Sequence, residues 1–254
     1  MLSRYFSALF TSAILLTASC TKKGNTGPTG PAGPAGPAYT GAISGHVSLY
    51  DQYGSKMLVH SALIQLTLKG GRTINPDSSG YYVFDSVATG TYNITVSGHD
   101  IGTTIVNNIQ SIKDTFYQNI KVSSKPSFNL TSFTASAVPS LSTPVSVNSL
   151  SFRFPSDVRV RNIIVFAGKD STVSNDPATY LLAYTKTIAP SMTQASITVY
   201  ATDLNYARIF YGETVHYAAY SYVVNDASVF VDPVTGRNVY NAVGTRLTDT
   251  TIAP

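Results

Sequence analysis

Tryptophan is absent from the 254 residues, cysteine occurs once, at Cys20, and glutamate occurs once, at Glu213. A lone thiol excludes an internal disulfide framework. With one glutamate, and aspartates that fall mostly in turn sequences, no carboxylate pair for glycosidase chemistry can be nominated. None of the four histidines begins a His-x-x-Glu zinc pattern, and no Gly-x-Ser-x-Gly elbow is present. The expectation is therefore a protein that is not an enzyme and that needs no cofactor or metal. Charge is scarce too: 12% of residues, with 17 basic against 13 acidic, and no Lys/Arg cluster beyond Lys22-Lys23. The net charge of +4 reflects a shortage of acids and implies no nucleic-acid partner. No run after residue 16 approaches the ~20 apolar residues of a spanning helix.

What is present favours strands. Thr, Ser, Val and Tyr dominate a chain that is 43% hydrophobic, a helix-poor composition that predicts an all-β protein. The length suits two ordinary domains with real cores.

The N-terminus is read as an export segment. Arg4 supplies positive charge, residues 5–16 form an apolar run, and Ala18-Ser19 are small residues before Cys20. Leu16-Thr17-Ala18-Ser19-Cys20 resembles the lipobox of bacterial lipoproteins, with Thr17 standing where that family usually has Leu. The resemblance implies a signal peptide over 1–19, and acyl chains on Cys20 that anchor the chain to a membrane. Thr21, in place of an Asp, points to the outer membrane, with the surface or periplasmic face left open. The other reading of the segment is an ordinary signal peptide with an incidental Cys. Residues 20–39 carry five Gly-x-x triplets, among them Gly30-Pro-Ala, Gly33-Pro-Ala and Gly36-Pro-Ala. These triplets are collagen-like. They predict either a semi-rigid monomeric polyproline II spacer, at ~3.1 Å per residue on the order of 45 Å long, or a short trimerising triple helix.

Residues 40–123 read as one antiparallel β-sandwich. Ile43, Gly45, Val47 and Leu49 alternate with Ser44, His46, Ser48 and Tyr50, and residues 62–69 form a second strand before the turn at Gly70-Gly71. Tyr82 and Phe84 alternate in a third strand, and Tyr92, Ile94 and Val96 in a fourth beyond Gly90. Gly41-Ala-Ile-Ser-Gly-His-Val47, Asp77-Ser-Ser-Gly-Tyr-Tyr-Val-Phe84 and Gly90-Thr-Tyr-Asn-Ile-Thr-Val96 resemble the carboxypeptidase regulatory-like domain. That resemblance implies a transthyretin-type Greek-key sandwich, an accessory module with no peptidase chemistry of its own. An internal isopeptide, as in some related surface sandwiches, lacks a suitable buried acid.

Residues 127–254 read as a second sandwich, with the connector near residues 122–126. Leu150, Phe152 and Phe154 alternate, residues 161–167 form a more continuous apolar run suited to a central strand, and Asp232-Pro-Val-Thr-Gly236 is a hairpin turn. Further strands are expected over 180–184, 195–200 and 214–224. The layout is similar to immunoglobulin or fibronectin III modules in general terms only.

Candidate sites are few. Tyr217, Tyr220, Tyr222 and Tyr240, with Tyr206 and Tyr211 nearby, suggest an aromatic surface for sugar rings, set against ordinary use of tyrosine in strands. His216 has no second metal ligand in the sequence. Asp226 and Asp232 bracket a hairpin strand and suggest either Ca²⁺ ligation or turn capping. Asp85-Ser86-Val87, Asp170-Ser171-Thr172 and Asp249-Thr250-Thr251 are similar to an O-glycosylation acceptor pattern. The leading expectation is a non-enzymatic envelope lipoprotein that displays sandwiches to a glycan, matrix or envelope protein partner. A fimbrial or structural surface subunit, an accessory protein of an outer-membrane complex, and an enzyme with a site built from loops remain as alternatives.

Overall fold

The first strand, β1 (Thr40–Tyr50), shows why its sequence alternates: Ile43, Val47 and Leu49 are buried while His46 is exposed. The computed structural model describes residues 40–59, 64–138 and 147–254. Cys20, the export segment and the collagen-like triplets lie outside the described residues. From Ala38 onward the chain forms one unit.

β1 is followed by β2 (Lys56–Met57), β3 (Ile64–Leu68), β4 (Arg72–Ile74), β5 (Tyr81–Ala88), β6 (Gly90–Gly98), β7 (Thr104–Ser111), β8 (Thr115–Tyr117) and β9 (Ile120–Ser123). β1 is the central strand of the first sheet. It pairs antiparallel with β5 and β2, and parallel with β8 and then β9. The parallel pairing explains the Gly41-Ala-Ile-Ser-Gly45 spacing. A Cβ on Gly45 would lie 2.0 Å from the carbonyl oxygen of Gln118, and one on Gly41 would lie 1.9 Å from that of Ile112. Only glycine lets those backbones pass. The second sheet has the order β4-β3-β6-β7. Between the sheets pack Ile43, Tyr82 and Phe84 from one side and Leu66, Ile94 and Val96 from the other, none more than 2% exposed. Burying each contributes roughly 1.5–3 kcal/mol before entropy is counted.

The second sandwich comprises β10 (Ser132–Val138), β11 (Val147–Arg153), β12 (Arg161–Gly168), β13 (Leu182–Ile188), β14 (Gln194–Tyr200), the short helix α1 (Ala201–Tyr206) and β15 (Thr214–Tyr222). The hairpin β16 (Phe230–Val231) and β17 (Asn238–Val239) and the last strand β18 (Leu247–Ile252) complete it. A sheet β10-β11-β14 faces a sheet β13-β12-β15-β18, the seven-strand layout of fibronectin III-like sandwiches. The protein is thus all-β in two tandem sandwiches, with α1 a single helical turn and a half that strand periodicity does not announce.

β12 is buried on both faces. Ile163 and Val165 enter the core between the sheets, whereas Ile164 and Phe166 enter a second cluster on the outer face of the four-stranded sheet. The β12–β13 connection and the long β15–β18 excursion, which contains the β16–β17 hairpin, cover that outer face. This is why residues 161–167 read as a more continuous apolar run, unbroken from Ile163 to Ala167.

The two sandwiches meet in a hydrogen-bonded seam. Ser123 N–H donates to Ser228 Oγ at 2.7 Å, Ala227 N–H returns a bond to Ser123 Oγ, and Thr104 Oγ1 donates to Ser228 O at 3.1 Å. Asn241 Nδ2 donates to Thr103 O at 2.8 Å, and Val224 N–H donates to Gln52 O at 2.9 Å. Gly102 lies against Ala242, whose backbone nitrogen would be 2.8 Å from an added Cβ. Buried polar groups paired across a seam resist separation, because parting them leaves each unsatisfied until water enters.

Candidate functional site

Among the tyrosines expected to make an aromatic surface, Tyr217, Tyr220 and Tyr222 are 0%, 4% and 6% exposed. That expectation is corrected for these residues. Tyr217 faces the inter-sheet core, where its hydroxyl accepts from Asn148 Nδ2 at 2.9 Å, and burial pushes its pKa up to about 12. Tyr220, Tyr222 and half-buried Tyr240 belong to the outer cluster. Tyr240 packs 5.6 Å from Phe166 and 5.8 Å from Tyr222. Both faces of β15 are covered, so alternation along it selects between two interiors and leaves no ring face for a sugar.

The aspartates act as caps. Asp232 Oδ2 accepts from Thr235 N–H and Thr235 Oγ1, each at 2.7 Å, and holds the hairpin turn. Asp226 Oδ1 accepts from Ser228 N–H at 2.7 Å beside the seam. Burial raises the Asp226 carboxyl above its ordinary range. Among the described residues no group of three or more His, Cys, Asp or Glu side chains could hold a metal ion. His216 is half-buried on β15.

Exposed aromatic area concentrates elsewhere. Tyr206 is 89% exposed, Tyr211 86%, and Tyr200 and Phe210 55% each. These four lie at the end of β14, in α1 and in the turn before β15. The chain enters the described region at Thr40 and runs along β1 toward the seam. β14 starts beside the seam loops at Gln194 and runs away from it to Tyr200. The aromatic group therefore occupies the end of the second sandwich far from Thr40.

This tip is built to hold still. Leu204 and Ile209, 1% and 0% exposed, plug the end of the core and fix α1 and the following turn. Ile209 N–H donates to Leu204 O, and Arg208 takes a positive φ of 60° as the chain reverses. The only glutamate in the sequence closes the loop: Glu213 Oε2 accepts from Phe210 N–H at 2.7 Å and pairs with Lys169 at 3.0 Å. The Phe210 N–H bond, ahead of Lys169, holds the Glu213 carboxyl below its usual range. Lys169 Nζ sits 5.6 Å from the Phe210 ring centre, a cation–π contact that braces the ring from behind. The sequence contained a signal for this site in Tyr206 and Tyr211. Their stretch lacks strand alternation, so no buried face was available to absorb them.

Chemically, the tip offers flat apolar faces carrying hydroxyl edges, beside the cationic Arg208. Exposed aromatic groups of this kind mark interaction surfaces, and a preformed loop lowers the ordering entropy of binding.

No family model matches the chain, and no curated protein matches it. Solved structures give low-scoring similarities. A candidate carbohydrate binding protein from Bacteroides uniformis is 15% identical with a TM-score of 0.31, covering 84% of this chain and 100% of that one. A DUF3823 family protein from Parabacteroides merdae is 15% identical with a TM-score of 0.28, covering 83% and 100%. The major pilin SpaD from Corynebacterium diphtheriae is 11% identical with a TM-score of 0.26, covering 82% of this chain and 65% of its own.

Proposed function

We propose that the chain is a non-enzymatic lipoprotein of the bacterial cell envelope, anchored in the outer membrane through acyl chains on Cys20, that presents its second sandwich to a glycan. The observation that carries this reading is the aromatic tip. Tyr200, Tyr206, Phe210 and Tyr211 remain exposed on a loop fixed by Leu204, Ile209 and Glu213, at the end of the second sandwich remote from Thr40. Aromatic rings on a rigid loop suit pyranose C–H faces, because they give large contact area with few torsions to freeze. Holding the tip away from the bilayer is the work of the Gly-Pro-Ala spacer. The tandem sandwiches act as one stiff stalk, since the seam bonds suppress bending between them.

The test is retention of the full chain, purified in detergent, on gels containing immobilised neutral or acidic polysaccharides. Wild-type protein is expected to be retarded by at least one glycan, and a Tyr206→Ala/Tyr211→Ala double variant to run as in blank gel. Equal retention of the double variant would overturn the role of the tip, and no retention on any glycan would overturn the function. Loss of acyl labelling in Cys20→Ala, together with its release from the membrane fraction, tests the anchor separately.

A further inference from the structure

A second candidate binding site lies at the seam. A crevice of about 630 Å³ runs between the outer face of the β4-β3-β6-β7 sheet and the β16–β17 hairpin of the second sandwich. Its volume falls in the range of about 300–1,000 Å³ for small-molecule sites, and a boundary between two modules is a preferred place for one. Its two walls differ in chemistry. The sheet side presents Thr95 and the carboxamides of Asn93 and Asn107, with Lys69 and Ile105 beside them, while the hairpin side presents Phe230, Pro233 and Val239, with Asp232 in its turn.

The polar wall is shaped by a β-bulge. The β6–β7 register shifts between Tyr92 and Ile94, and Asn108 takes a positive φ of 60°. Asn108 N–H donates to Asn93 Oδ1 at 3.1 Å, and the Asn93 carbonyl accepts from Lys69 N–H at 2.9 Å. Asn93 and Asn107, at the bulge, both line the crevice, and bulges occur next to functional sites because they re-aim side chains. The Asn93 Nδ2 group and the Asn107 carboxamide have no side-chain partner among the described residues. The apolar wall is braced from behind, where Arg237 donates to Pro177 O at 2.8 Å.

We propose that this crevice is a second carbohydrate site, which takes a short segment of a neutral glycan with its C–H face on Phe230 and its hydroxyls on Asn93, Asn107 and Thr95. The proposal rests on the reading that this protein binds glycans, and it adds a site distinct from the aromatic tip. The crevice has both the apolar face and the donor and acceptor pairs that a pyranose needs. Its carboxamides donate and accept at once, as sugar hydroxyls do. β15, which links the seam to the tip end, is nine residues long, so the two sites are separated by roughly 30 Å at ~3.3 Å per residue. A polymer engaging both gains avidity, whereas a trisaccharide cannot span them.

The experiment is calorimetric titration of the full chain in detergent with neutral trisaccharides of gluco, manno, galacto and xylo configuration. Three proteins are compared: wild type, Asn107→Ala, and Tyr206→Ala/Tyr211→Ala. Phe230→Ala is added as a fourth, with its thermal midpoint measured alongside, because that ring is half-buried. With the trisaccharide that binds, wild type is expected to show two binding events. Asn107→Ala should weaken one of them about tenfold, and the tip double variant should retain that same event and lose the other. Crevice variants that titrate like wild type would overturn the crevice while leaving the tip intact. A tip variant that titrates like wild type, with binding weakened only by Asn107→Ala, would support the crevice and remove the tip reading. Silence of wild type toward every trisaccharide would overturn the crevice proposal outright, with polysaccharide retention still deciding the tip.

Discussion

The Tyr53 hydroxyl of the first sandwich donates to Asp157 Oδ2 of the second at 2.8 Å, while the Arg159 guanidinium lies 3.5 Å over the Tyr53 ring. The Tyr53 bond is the leading cause of a depressed Asp157 carboxyl. A depressed folded-state value means stability that is present above the ordinary carboxylate range and lost as pH falls through the folded value. Tyr53→Phe is therefore expected to lower the thermal midpoint at neutral pH and to flatten its decline on acidification. Melting curves from neutral to strongly acid buffer check this, and an unchanged acid limb would remove Asp157 from the account.

Asp226 behaves in the opposite sense at the other end of the same seam. Burial raises its carboxyl, so its stabilising contribution is complete below the unfolded value and is lost as pH rises through the raised one. Asp226→Asn keeps an acceptor for Ser228 N–H and discards the buried charge. The variant is expected to melt higher than wild type at neutral pH and equally at acid pH. The convergence of the two pH–midpoint curves on acidification is the measurement.

Two groups of tyrosines should respond differently to alanine. Tyr220→Ala or Tyr222→Ala empties part of the outer cluster and is expected to cost about 3–5 kcal/mol. Tyr206→Ala or Tyr211→Ala should stay within about 0.5 kcal/mol of wild type while removing glycan retention. Urea unfolding and gel retention on the same four proteins separate the roles.

Arg161 is 1% exposed and has no carboxylate partner among the described residues. Its guanidinium donates to Pro155 O and, at 2.9 Å, to Met192 O, with the rings of Phe154 and Phe128 at 5.0 and 5.3 Å. One planar cation thus ties two seam-side loops. Arg161→Lys keeps the charge but loses the fork and the stacking, and is expected to cost about 2–4 kcal/mol. Chemical denaturation at neutral pH gives the number.

Gly102 tests the seam sterically. A side chain there meets the Ala242 backbone at 2.8 Å, too close for a flexible neighbour to absorb. Gly102→Val is expected to cost about 1–3 kcal/mol and to split a single unfolding transition into two. Calorimetric scans of variant and wild type show whether it does.

Much of the first sandwich was legible because its strands bury one face each, so the alternations of β1, β5 and β6 stand out. The Asp232–Gly236 turn was equally plain, since its cap and its glycine act within five residues. The parallel pairing of β8 and β9 with β1 was not legible, because short parallel strands carry no turn that announces them. The tyrosines of β15 misled for a related reason. What covers Tyr220 and Tyr222 includes Val173, Tyr180, Tyr240 and Ala242, none of them on β15 or its pairing strands, and local periodicity cannot report a second interior. The tip is half visible in the sequence, since Tyr206 and Tyr211 stand out there, but α1 and the closing role of Glu213 depend on tertiary contacts.

The position of β1 has a mechanical meaning. It is the first strand after the N-terminal segment, it is hydrogen-bonded on both edges, and it points from Thr40 toward the second sandwich. A pull between Thr40 and the far tip loads β1 along its own axis. Its ladders to β5, β8 and β9 must then shear together instead of opening one bond at a time. The fold puts a strand bonded along both edges at the point where tension from a tethered terminus would enter.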